Sequence, residues 1–242
     1  MSILSLYVRR NQPLSSDFFI SLLTIIGIDL ILGGDNAIVV ALACRNLPDQ
    51  IKNKAMIAGI TLAIVTRGAL TLVAVQLLEI PFAMTIGGIV LLWIAFRLLT
   101  NNDQEHEINS DYSFFNAIKT IVIADLVMGF DNVIAVAGAA NGNSLLVFLG
   151  LLISVPIIIW GSKLILFLMN KYEFIIYIGA GILVYTSAKM ILHQESISQT
   201  IHHLGLSSLM FTFLLIIAIL GCGWLYNQWK LGELSYIFRS KK

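Results

Sequence analysis

Residues 18–43 read FFISLLTIIGIDLILGGDNAIVVALA, an apolar run without lysine or arginine in which Asp29, Asp35, Asn36 and the pair Gly33-Gly34 stand out. A helix crossing the roughly 30 Å of hydrocarbon in a bilayer needs about 20 such residues. Arg9 and Arg10 precede the run as they would in an export signal, but it is too long for a signal core and no convincing cleavage site follows. It reads as a first transmembrane helix that stays and carries carboxylates at membrane depth.

The rest of the chain agrees with that reading. Of its 242 residues 58% are hydrophobic and 12% charged, and the mean hydropathy is +0.88. Soluble domains carry roughly a quarter charged residues, so this chain cannot cover a surface facing water, and the lipid bilayer must be its solvent. A net charge of +1 argues against a nucleic-acid partner. Cys44 and Cys222 stand far apart, with no disulfide, redox or zinc spacing.

Further apolar runs place spans near 55–78, 82–99, 114–140, 145–169, 173–192 and 209–229. The expected fold is an all-α membrane protein of about seven transmembrane helices. Arg45, Lys52, Lys54, Arg97, Lys171, Lys230, Arg239, Lys241 and Lys242 fall at one set of ends, against Arg9, Arg10 and Lys189 at the other. The excess marks the cytoplasmic side, with the N-terminus outside and the C-terminus inside.

An internal repeat organises the chain. Residues 125–139, DLVMGFDNVIAVAGA, align without a gap on residues 29–43, DLILGGDNAIVVALA, at an offset of 96. Asp29, Gly33, Asp35 and Asn36 meet Asp125, Gly129, Asp131 and Asn132. Apolar matches alone would mean little in a membrane protein, but two aspartates, a glycine and an asparagine in register are hard to obtain by chance. At the same offset Arg67 meets Lys163, a basic residue inside a span in both halves. The expectation is a repeat A of about 18–99, a cytoplasmic loop at 100–113, a repeat B of about 114–192 and a seventh helix at about 209–229. Three spans is an odd number, so the second unit is inverted, an arrangement that places transporter sites at the repeat interface.

Each aspartate at a helix centre costs about 2.5–3.5 kcal/mol, so Asp29, Asp35, Asp125 and Asp131 must face an interior. Gly33, Gly34 and Gly129 weaken the helices just before Asp35 and Asp131 and are expected to break them, freeing carbonyls at depth. Carboxylate, side-chain amide and carbonyl are oxygen donors suited to Mn²⁺, Mg²⁺ or Ca²⁺. Asp35, Asn36, Asp131 and Asn132 are therefore the candidate metal ligands. Asp29 lies six residues before Asp35, about 120° around an ideal helix, so Asp29 and Asp125 are read as coupling, relay or salt-bridge groups with Arg67 and Lys163. Histidines 193, 202 and 203 are read as parts of an ordinary outer loop.

The paired motifs at 29–36 and 125–132 resemble those of the TerC family of integral membrane proteins. That resemblance implies a multi-pass protein of the bacterial inner membrane that transports metal ions, chiefly in Mn²⁺ efflux, with a historical link to tellurite resistance. It also implies inverted three-helix repeats shared with LysE-type exporters. The family's acidic transport residues fall on Asp29, Asp35, Asp125 and Asp131.

The functional expectation is alternating-access export of a divalent cation, Mn²⁺ first, with protons as a candidate counter-ion. The ion is cargo, and no prosthetic group or enzymatic activity is expected. The alternatives are a LysE-like exporter of another cation, a membrane stress-complex subunit, and an intramembrane aspartyl protease. The last needs a carboxylate dyad, and here the partner Tyr-Asp motif is missing.

Overall fold

Hydrocarbon leaves a backbone few ways to satisfy its own polar groups, and the helix is the one this chain adopts. The structure, a computed structural model, describes residues 16–78, 82–100, 110–140 and 144–240, with side chains described over 18–28, 33–70, 82–100, 113–129, 149–150 and 152–230. Nine helices occupy the described residues: α1 Ser16–Leu32, α2 Gly34–Cys44, α3 Asp49–Leu78, α4 Ala83–Thr100, α5 Ser110–Ala140, α6 Ser144–Lys171, α7 Phe174–Leu192, α8 Glu195–His203 and α9 Ser208–Ser240. Among the described residues four segments are long and apolar enough to cross a membrane: Ala83–Thr100, Leu152–Lys171, Phe174–Leu192 and Ser208–Lys230. Two shorter apolar helices, Phe18–Ile28 and Gly34–Cys44, lie on either side of Gly33.

The outside of the molecule is greasy. Leu23, Phe115, Trp160 and Ile217 are 66–69% exposed, a pattern that water does not tolerate over a large area and lipid does. Inside, Met56, Leu91, Ile94, Leu183 and Val184 belong to one continuous apolar cluster.

Helix pairing follows from where the small residues lie, because close packing between helices has to replace the hydrophobic effect inside a membrane. Helices α1 and α2 pack on α6, α3 packs on α5, and α4 packs on α7. A Cβ on Gly150 of α6 would lie 2.4 Å from Ile25 Cγ2 of α1, and one on Gly59 of α3 would lie 2.6 Å from Ile121 Cδ1 of α5. Ile25 and Ile121 stand at the same offset of 96 as the two aspartate motifs. Between α4 and α7, a Cβ on Gly88 would meet the Ser187 carbonyl oxygen at 2.8 Å, and the Ser187 hydroxyl donates to the Gly88 carbonyl.

The break expected at the glycine pair is present, the run 18–43 forming two helices that meet at Gly33. Two differences from the sequence reading stand out. Helix α5 starts at Ser110, inside the stretch assigned to a loop. The region after α7 is not an ordinary loop, because α8 fills much of it with Ile201 buried inward. This helix ends in a Schellman turn: Gly205 takes φ +77, its N–H reaches the His202 carbonyl at 3.0 Å, and the Leu206 N–H reaches Ile201 at 3.2 Å. Glycine supplies the left-handed residue at no steric cost. Helix α9 lies at the periphery against α4 and α7, with only 6% of its Ser208–Lys230 window buried. Gly223 admits the side chain of Leu99, and Asn227 Nδ2 donates to the Leu99 carbonyl at 3.3 Å, one of the last-turn carbonyls that α4 cannot satisfy itself.

Candidate ion site

The site is built around the interruption at Gly33. Two successive glycines each cost about 1 kcal/mol of helix propensity relative to alanine, and the helix lapses for one residue, Gly33, at φ −95 and ψ 2. The Gly33 carbonyl still accepts from Ala37 N–H at 3.3 Å, so α2 restarts at once. Asp35 and Asn36 occupy its first turn.

Asp35 is half-buried, and its Oδ2 accepts a hydrogen bond from the Thr186 hydroxyl of α7 at 3.2 Å. Its Oδ1 is sealed from solvent and has no partner among the described residues. Asn36 is 5% exposed, and both atoms of its amide are likewise buried without a described partner. Buried polar atoms are satisfied in the great majority of cases, and one left over asks for an explanation.

Asn36 also reaches a small cavity between α2, α3, α5 and α6, with about 20 Å³ open to the centre of a water molecule. Arg67, Asp125, Ser154, Ile60 and Ile121 are among its lining. Arg67 Nη2 donates to Asp125 Oδ1, and both residues are buried. The pair therefore ties α3 to α5 next to Asn36.

The structure thus brings Asp35, Asn36, Arg67 and Asp125 into one region, and it adds Thr186 and Ser154. Sequence reasoning passes over those two hydroxyls, since serines and threonines are common in apolar helices and neither stands in a spaced motif. The only local signal is that Thr186-Ser187 is the one pair of hydroxyls between Tyr185 and Lys189.

Two expectations are corrected. Helix α5 runs from Ser110 to Ala140 without a break at Gly129. A single glycine followed by Phe130 lacks the doubled weakness of Gly33-Gly34, so no carbonyl is freed there by a lapse in the helix. Lys163 does not join the interior: its side chain is on the exposed face of α6, while the adjacent Ser162 is buried. The alignment carries a basic residue to this position, but a long lysine stem can lie along the apolar surface and carry its charge outward. The side chains of Asp29, Asp131 and Asn132 lie outside the described ones, although Asp131 and Asn132 belong to α5. Among the described residues no three of His, Cys, Asp and Glu cluster together. The described polar groups of the region are the carboxylates of Asp35 and Asp125, the second paired with Arg67, the amide of Asn36 and the hydroxyls of Thr186 and Ser154.

Apolar helices packed around polar groups sealed at depth define a multi-pass integral membrane protein. The model of the integral membrane protein TerC family matches residues 14–230. The chain is 51% identical over 182 residues to the membrane protein YjbE of Bacillus subtilis (strain 168), covering 75% of this chain and 84% of YjbE. It is 24% identical over 239 residues to the membrane protein YkoY of the same organism, covering 86% of this chain and 72% of YkoY. With the UPF0053 inner membrane protein YoaE of Escherichia coli (strain K12) it shares 27% identity over 175 residues, 64% of this chain but 34% of YoaE. The chain therefore spans about a third of that relative's length. No solved structure matches it. The chain belongs to the integral membrane protein TerC family.

Proposed function

We propose that the chain is a transporter of divalent cations in a bacterial inner membrane, exporting Mn²⁺ by alternating access. The observation that carries this reading is the group of buried oxygens and amide atoms at the Gly33 interruption: Asp35 Oδ1 and both amide atoms of Asn36, sealed from solvent without described partners. Carboxylate and amide oxygens, here from successive residues, are donors that suit a hard divalent cation. On this reading Asp131 and Asn132 supply the matching half of the ligand set. Asp29 and Asp125 serve coupling, and a proton returns as counter-ion through one of them.

The architecture in this proposal is seven crossings in two inverted three-helix units plus α9, with the N-terminus outside and the C-terminus cytoplasmic. Helix pairing supports it. The first helix of each unit packs on the second helix of the other, α1 and α2 on α6 and α5 on α3, while the third helices α4 and α7 pair together. That is the pattern a two-fold axis in the membrane plane would generate. Ile25 and Ile121 fit the same axis, each seated against a glycine of the opposite unit.

The test is uptake into inside-out vesicles screened across Mn²⁺, Ca²⁺, Mg²⁺ and Zn²⁺. Mn²⁺ uptake is expected in the wild type, and Asp35→Asn is expected to lose it while still inserting in the membrane. Undiminished uptake by that variant would exclude the site.

A further inference from the structure

Threonines in the helices of this protein usually look inward to their own backbone. Thr24, Thr66, Thr100, Thr120, Thr200 and Thr212 each donate to a carbonyl three or four residues earlier. Thr186 instead donates to a carboxylate on another helix, Asp35 Oδ2, at a sequence separation of 151.

The α2–α7 interface is built to hold that contact. Gly179 lies seven residues before Thr186, two turns along the same face of α7. A Cβ there would come within 3.0 Å of Ile38 Cγ2 and 3.4 Å of Leu42 Cδ1, both on α2. The absent side chain lets α7 approach α2 closely enough for a threonine, with its short reach, to touch Asp35. The bond fixes one carboxylate oxygen and leaves Oδ1, buried and without a described partner, as the free ligand atom. A hydroxyl that donates its single proton keeps two lone pairs on its oxygen.

We propose that Thr186 is a ligand-positioning and specificity-determining residue of the cation site, holding Asp35 from α7 and offering its hydroxyl oxygen as a further hard donor to the bound ion. The proposal rests on the transport reading of Asp35 and deepens it, because it states what the site selects. Oxygen in this place favours Mn²⁺, Mg²⁺ and Ca²⁺, whereas sulfur would favour Zn²⁺. Asp35 is pre-set in one orientation before the ion arrives, so the contribution falls on affinity more than on turnover.

The experiment measures Mn²⁺ uptake, and its inhibition by Zn²⁺, in inside-out vesicles carrying wild type, Thr186→Val, Thr186→Ser, Thr186→Cys and Asp35→Asn. Thr186→Val is expected to raise the half-saturating Mn²⁺ concentration about tenfold with the maximal rate within about twofold, the signature of lost binding energy rather than lost chemistry. Thr186→Ser restores the wild-type value within about twofold. Thr186→Cys increases the inhibitory potency of Zn²⁺ about tenfold relative to Thr186→Ser, a shift that a purely structural role would not produce. If Asp35→Asn abolishes uptake while Thr186→Val and Thr186→Cys behave as wild type, the role of Thr186 is overturned and the transport site stands. If Asp35→Asn transports normally, the site itself fails and Thr186 falls with it. Should Thr186→Val insert poorly, the comparison of Thr186→Ser with Thr186→Cys decides alone.

Discussion

Arg67 and Asp125 meet in the interior, at 4% and 8% exposure. Taking two charges out of solvent costs several kcal/mol for each ion, and their attraction returns that only while both are present. Removing one partner is therefore worse than removing both. Arg67→Met is expected to destabilise the protein by about 3–5 kcal/mol, and Arg67→Met with Asp125→Leu to recover most of the loss. Denaturant unfolding in detergent micelles measures both. A double variant as damaged as the single one would mean that the pair's other contacts dominate. Single residues are also where the sequence misleads. The aspartates were legible because each is expensive in an apolar run, whatever its surroundings. Lys163 was not, because an alignment transfers a position and not a facing, and Ser162 takes the inward direction in its place.

At the level of elements, the lapse at Gly33 and the unbroken α5 make a natural comparison. The two motifs differ at the residue after the first glycine, Gly34 against Phe130, and only the doubled glycine interrupts its helix. A Cβ on Gly34 would meet nothing within 4 Å, so Gly34→Ala acts on the backbone alone. It is expected to stabilise the helix by about 1 kcal/mol and to lower Mn²⁺ uptake, because a stiffer junction holds Asp35 less adaptably. Uptake assays alongside thermal unfolding check both halves of that trade. Helix positions were legible from residue type, since apolar runs bounded by polar residues have little choice in hydrocarbon. Which helix touches which was only partly so. The Thr186–Asp35 contact joins elements far apart in the chain, and nothing local to either residue announces the other.

For the molecule as a whole, the decisive prediction concerns movement between the halves. A Cβ on Gly59 would lie 3.3 Å from Ile121 Cβ, and one on Gly150 also 3.3 Å from Ile25 Cβ. A small relaxation brings both into the 3.5–4.5 Å range of disulfides. Cysteine pairs at 59/121 and at 25/150, in a chain whose Cys44 and Cys222 have been replaced, are expected to oxidise readily. If transport rocks one unit against the other, bridging both interfaces stops Mn²⁺ uptake and a reductant restores it. Uptake that continues in the fully bridged protein would rule that motion out. The recurrence of polar residues at a fixed offset is read directly from the chain, whereas the contacts of Gly59 and Gly150 emerge only when those glycines are placed against Ile121 and Ile25.

The light attachment of α9 bears on how the protein is made. Among the described residues α9 is held by an amide hydrogen bond to Leu99, a notch at Gly223 and apolar packing on α4 and α7, with most of its surface left exposed. Among the described helices it is also the last to leave the ribosome. The preceding helices can therefore find one another in the bilayer while α9 is still being synthesised. Its docking then becomes a closing step that covers the end of α4 after the helices around Asp35 have already met.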